Sequence, residues 1–177
     1  MEISRRKLIK QATSMAAGTV AASIFLPQNV LAQNPLNMTT IPSSGQRIPS
    51  VGMGCRNYRG QINSEEIPVF KETFATYHRF GGKLVDTSPN YGNSETVIGN
   101  IMRELGIRSD LWVATKVDRE SEESGIERME ESFELLGGDQ FDLMQVHNLR
   151  GVDVQLNTMQ QWKEQNRFRH IGITTSN

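Results

Sequence analysis

Four residues in this chain have the types and positions to move a proton onto a carbonyl: Asp86, Tyr91, Lys116 and His147. Each falls at or just past the carboxyl end of a predicted β-strand, the rim that carries the active site in a (β/α) barrel. A tyrosine hydroxyl ordinarily ionises near ~10, and an adjacent ammonium favours the phenolate, easing proton exchange near neutral pH. Lys116 is placed to supply that charge, Asp86 to hold the lysine, and a neutral His147 to orient a carbonyl oxygen toward Tyr91. The set lacks a source of electrons, so a reduction there requires a hydride-donating cofactor. No metal-ligating set is expected.

The elements that must position these residues alternate regularly. Val51 to Cys55 reads as a strand, followed by a helix with Ile67, Phe70, Phe74 and Tyr77 at helical spacing that stops at Gly81-Gly82. Lys83 to Thr87 is the next strand, and Ser94 is expected to cap a helix striped with Val97, Ile98, Ile101, Met102 and Leu105. Leu111 to Lys116 is the third strand, with a capping box at Ser124-Gly125-Ile126-Glu127 opening the helix after it. Phe141 to Val146 is the fourth strand, Leu156, Met159 and Trp162 mark the following helix, and Ile171 to Thr174 is a fifth strand. Strands roughly 30 residues apart with helices between them predict a parallel α/β sheet of order (βα)₄β. Before it, residues 41–48 read as a small hairpin with turn residues at its centre.

The first 32 residues have a different character. Arg5, Arg6, Lys7 and Lys10 precede a weakly apolar run of small residues, and Val30-Leu31-Ala32 supplies a cleavage site before Gln33. Ser4-Arg5-Arg6-Lys7-Leu8-Ile9-Lys10 resembles the twin-arginine (Tat) export motif. The expectation is a signal peptide over 1–32, a linker over 33–40, a partial barrel over 41–177, and a periplasmic location. The apolar stretch is shorter than the ~20 residues needed to span a bilayer, so no membrane association is expected after cleavage. A chain of 177 residues with 37% hydrophobic and 22% charged residues and net charge -1 has a globular composition and no basic surplus for nucleic acid. Its single cysteine, Cys55, rules out an internal disulfide and is expected as a small buried hydrophobe.

The stretch Gly82-Lys83-Leu84-Val85-Asp86-Thr87-Ser88-Pro89-Asn90-Tyr91-Gly92-Asn93-Ser94-Glu95 resembles the signature of the aldo-keto reductase family. Ala114-Thr115-Lys116, Asp142 to His147 and Arg169 to Ile173 resemble that family's later segments in the same order. The resemblance implies a (β/α)₈ TIM barrel, NADPH (NADP) as hydride donor, a small carbonyl substrate, and a catalytic tetrad of Asp86, Tyr91, Lys116 and His147 with Tyr91 as general acid. It also places Asp86, Thr174 and Thr175 in the cofactor site. The two threonines stand where the family has a serine and an asparagine for the nicotinamide carboxamide, and Thr175 offers no amide.

Residues 33–177 number 145, whereas an eight-unit barrel takes about 200 at minimum. In the family, strands six to eight supply the platform beneath the nicotinamide and the basic residues for the adenosine phosphate. The expectation is therefore an NADPH-dependent carbonyl reductase by lineage, represented by about five β/α units, that binds NADPH weakly by itself. The alternative is a non-catalytic truncated remnant, or a half-barrel completed by a partner chain. Arg56, Tyr58 and Asn148 are expected to line the substrate pocket.

Overall fold

A computed structural model describes residues 36–60 and 64–175. The segment read as an export signal lies outside them. The described chain opens with an antiparallel hairpin, β1 (Met38–Thr40) with β2 (Arg47–Pro49), in register Met38 to Pro49 and Thr40 to Arg47. The hairpin thus starts inside the stretch expected as linker. Its first strand is three exposed residues, too short and polar to carry a period of its own.

Five parallel strands follow in sequence order: β3 (Met53–Gly54), β4 (Leu84–Asp86), β5 (Trp112–Val117), β6 (Phe141–Val146) and β7 (Phe168–Ile173). Between them run α1 (Glu66–Arg79), α2 (Ser94–Leu105), α3 (Glu122–Leu136) and α4 (Val152–Glu164). This is the expected (βα)₄β order. β5 is buried along its whole length, as a central parallel strand must be when both faces are covered.

The predicted helical stripes form the core. Phe74 of α1, Val97, Ile98, Ile101 and Met102 of α2, Met129 and Leu136 of α3, and Met159 and Trp162 of α4 pack with Val85, Val113, Met144 and Val146 of the sheet. An aromatic stack of Phe133 on Phe141, with ring centroids 4.1 Å apart and an interplanar angle of 8°, extends to Phe168 and Trp162. On the other face of the strands, Leu84, Leu143 and Gln145 are only half-buried. Gly106 ends α2 in the left-handed conformation at φ 66°, the glycine stop read from the sequence.

Two expected caps differ. Ser121 caps α3 by accepting from the Ser124 amide, one turn before the expected box, because Glu122 and Glu123 already favour the first turn. Ser94 sits inside α2, fully buried, and donates to the Cys55 carbonyl at 2.8 Å. Its hydroxyl therefore ties α2 to the end of β3 rather than capping a helix. Cys55 is buried as expected, and burial pushes its thiol up to about 12, which leaves it unreactive.

Candidate active site

The parallel register fixes the first two members of the site. Asp86 pairs with Ala114, so Lys116 lies two residues further along β5 and on the same face of the sheet. Its ammonium reaches back to both Asp86 carboxylate oxygens at 2.8 Å and to the Thr87 carbonyl at 2.7 Å. Three acceptors match the three donors of the Lys116 side chain, so a lysine only 5% exposed leaves no donor unsatisfied inside the sheet. Asp86 keeps a side-chain exposure of 36%, so part of its carboxylate still faces the rim.

Tyr91 and His147 come from the loops after β4 and β6. The Tyr91 ring lies 5.3 Å from the Lys116 ammonium, measured to the ring centroid. It meets the His147 ring edge to face, centroids 6.0 Å apart at 88°. Tyr91 and His147 line one cleft of about 330 Å³ with Arg56, Arg59, Asn90 and Asn148. The four residues singled out in the sequence are thus brought together: Asp86 bonds Lys116, Lys116 lies against the Tyr91 ring, and that ring meets His147, with Lys116 the buried member of the group.

His147 is held from behind by residues that the sequence reading passed over. Its Nδ1 lies 3.0 Å from Ser88 Oγ and 3.4 Å from Asn90 Nδ2, while Asn90 Nδ2 also donates to Asp118 Oδ2 at 2.6 Å. Asp118 is itself buried and paired with Arg119. Burial, with the charge of Lys116 second, holds the His147 imidazole below its ordinary pKa and outweighs the opposing pull of Asp118 and Asp86. The shift favours the neutral imidazole.

Ser88 and Asn90 entered the sequence reading only as members of the stretch Gly82 to Glu95. The available signal was that each sits within three residues of Tyr91 in the same loop. Of the three expected pocket residues, Arg56 and Asn148 line the cleft, and Tyr58 does not. Its ring packs on Phe70 at 4.7 Å and Phe74 at 5.5 Å, because the apolar stripe of α1 lies beneath it. Asn148 and Leu149 hold positive φ of 55° and 58°, a cost of order 1–3 kcal/mol each that recurs where a loop shapes a site.

Thr174 and Thr175 follow β7 at the same rim, where the Thr174 amide continues the ladder to the Val146 carbonyl at 2.9 Å. Thr174 Oγ1 is buried with no hydrogen-bond partner among the described residues. An orphaned hydroxyl at this place can give and take a hydrogen bond, so it fits an amide such as a nicotinamide carboxamide.

Residues 50–177 match the model of the aldo/keto reductase family. An aldo-keto reductase of Bacillus subtilis is 26% identical over 157 residues, covering 78% of this chain and 47% of that protein. One of Mycobacterium avium is 33% identical over 135 residues, covering 72% of this chain and 44% of the relative. The chain spans about half the length of the curated relatives it matches. Among solved structures, a Bacillus halodurans aldo-keto reductase in its holo form superimposes with TM-score 0.67 at 21% identity, over 80% of this chain and 51% of that one. A Bombyx mori aldo-keto reductase in complex with NADP superimposes with TM-score 0.63 at 22% identity, over 78% and 50%. At these identities the superpositions establish the fold: a parallel α/β sheet matching part of a (β/α)₈ barrel.

Proposed function

The chain belongs to the aldo/keto reductase family, and we propose that Asp86, Tyr91, Lys116 and His147 carry the proton side of an NADPH-dependent reduction of an aldehyde or ketone to an alcohol. The observation that carries this reading is the Lys116 ammonium, fully coordinated by Asp86 and Thr87 and held 5.3 Å from the Tyr91 ring that opens on the cleft. Burying a charge at that point has no packing rationale, but it has a chemical one: a fixed cation stabilises negative charge that develops on the phenol as it gives up its proton.

NADPH, held at this rim by Thr174, Thr175 and Asp86, would supply the hydride for the carbonyl carbon. Tyr91 donates its hydroxyl proton to the carbonyl oxygen, so that one hydride and one proton complete the alcohol, and the tyrosine regains its proton from solvent. His147, neutral and anchored through Nδ1, donates from Nε2 to the same oxygen and orients it. Asp86 keeps Lys116 in place. Thr174, through its unpartnered hydroxyl, and Thr175 and Asp86 at the same rim are the residues that would hold the nicotinamide end.

The test is NADPH oxidation against a panel of aldehydes and quinones, comparing the mature chain with Tyr91→Phe. A loss of about 10²–10⁴ is expected from removing the general acid. A rate unchanged by the substitution overturns the assignment. The half-buried Leu84, Leu143 and Gln145 on the sheet's inner face favour a second reading, in which activity requires further chain packed there, from a partner or from the same polypeptide. In that case turnover appears only when the complementing segment is supplied. We also propose export to the periplasm, supported by the twin-arginine heptad Ser4 to Lys10, and the expected outcome is a mature amino terminus at Gln33 in the periplasmic fraction.

A further inference from the structure

The cleft in front of Tyr91 and His147 carries two guanidinium groups, Arg56 and Arg59, contributed by the loop after β3. Neither takes part in an ion pair among the described residues. Carboxylates at the same strand ends and in the loops after them are already engaged. Asp86 holds Lys116, Asp118 holds Arg119 and accepts from Asn90, and Glu120 pairs with Arg150. Glu66 lies against Gly60 without bridging to either arginine.

Arg59 is also positioned rather than loose. Its Nε donates to the Arg56 carbonyl at 2.7 Å, and its methylenes rest on Gly92, where an added Cβ would meet Arg59 Cδ at 3.3 Å. Gly92 follows Tyr91 directly, so this packing sets the arginine beside the tyrosine. With Asp86 neutralised by Lys116 and His147 uncharged, the two arginines leave the cleft with a net positive charge facing the reacting end. A guanidinium presents a planar fork of donors that fits a two-oxygen anion, and a cleft of one sign concentrates ligands of the other.

We propose that Arg56 and Arg59 form an oxyanion-binding subsite and that the substrate is an aldehyde or ketone bearing a carboxylate or phosphate group. The identification of the bound molecule as a substrate rests on the reductase reading, whereas the oxyanion subsite itself does not. The anion docks on the guanidinium pair and directs the carbonyl end toward Tyr91 and His147, and no chemistry occurs at the arginines.

The test separates the two. The chain is titrated calorimetrically with 4-(hydroxymethyl)benzoate, with 4-(hydroxymethyl)phenyl phosphate and with the uncharged methyl 4-(hydroxymethyl)benzoate, and the matching aldehydes are offered with NADPH. At least one anion is expected to bind about tenfold or more tightly than the ester, and which one does distinguishes carboxylate from phosphate. Arg56→Gln is expected to remove most of that preference, and Arg59→Lys, which keeps the charge but loses the fork, a smaller part. Equal binding of anions and ester, binding of none of them, or a preference that survives Arg56→Gln together with Arg59→Gln overturns the subsite. Arginine-dependent anion binding without turnover of any aldehyde upholds the subsite and defeats the reading of this chain as a reductase by itself. Turnover of ester and acid aldehydes with equal kcat/KM does the reverse.

Discussion

Ser88 Oγ meets His147 Nδ1 at 3.0 Å, and this contact fixes which nitrogen of the imidazole carries the proton. Ser88 Oγ accepts from the Asn90 amide at 3.2 Å and has its own hydrogen to offer Nδ1. Asn90 Nδ2 approaches the same nitrogen at 3.4 Å, and its orientation is set by Asp118, whose carboxylate accepts from it at 2.6 Å. Two donors converging on Nδ1 make it the acceptor. The proton of a neutral imidazole then sits on Nε2, free for a carbonyl oxygen in the cleft.

Ser88→Ala removes the nearer donor and is expected to mix the tautomers. Nitrogen NMR of the imidazole is expected to show Nδ1 unprotonated in the native chain and a shift toward Nδ1 protonation in the variant. In a catalytically competent preparation kcat falls by about tenfold while KM changes less, since the substrate is still bound but its oxygen is poorly oriented. An unchanged imidazole spectrum sinks the tautomer assignment.

The charge state of His147 yields a pH prediction. Its folded pKa is lowered, by burial first and Lys116 second, below the value near ~6.5 of an unfolded histidine. Between those two values the unfolded chain binds more protons than the folded one, so stability rises with pH across that window. The contribution is fully present above about 6.5 and is lost as pH falls through the folded pKa. Denaturant titrations from pH 5 to 8 are expected to show this slope and to show it reduced in His147→Gln, the remainder coming from His170, whose imidazole is also held down by burial. A slope of opposite sign, stability falling as pH rises through that window, contradicts the inferred direction.

Lys116→Met keeps most of the side-chain volume and deletes the charge. Both Asp86 oxygens and the Thr87 carbonyl lose their donor together. A cost of about 1–3 kcal/mol is expected, at the lower end because Asp86 is partly solvated, with water able to replace the ammonium there. Chemical denaturation checks this figure. Any NADPH-dependent turnover falls by about 10² or more, because Tyr91 loses the fixed cation beside it. Retention of turnover by Lys116→Met removes the lysine from the mechanism.

Much of this was legible in the sequence because it is local. Phe141 to Val146 is a strand of the same bounds, since its apolar Phe141, Leu143, Met144 and Val146 suit a largely buried parallel strand. Asp86 and Lys116 stood out because charges at the ends of such runs have no packing role. What the sequence hid depends on contacts distant along the chain. Ser88 and His147 are 59 residues apart, Ser94 and Cys55 are 39 apart, and His170 bonds Gln46 across 124. Tyr58 read as a pocket residue because a loop aromatic beside a rim looks exposed, and only packing against α1 turns it inward. The arginines of the cleft carried no periodic signal, and their meaning comes from facing Tyr91 and His147 with no ion-pair partner among the described residues.

The last expectation concerns the scaffold that keeps β4 and β5 in register. Gly99 on α2 lies so close to α3 that a Cβ there would sit 1.9 Å from the Leu135 carbonyl oxygen. Two effects oppose each other in Gly99→Ala. Alanine is favoured over glycine in a helix interior by up to about 1 kcal/mol. Against that, the methyl meets a backbone carbonyl, which cannot rotate away as a side chain would, so α2 and α3 must separate. Overpacking of this kind costs about 1–3 kcal/mol and sometimes more, and a helix-pair shift also strains the buried contacts of Glu95 on α2 with Arg128 and Ser132 on α3. The clash is expected to win, lowering Tm by several degrees in circular-dichroism melts. A variant with unchanged or raised Tm shows that the two helices are not in contact at this point.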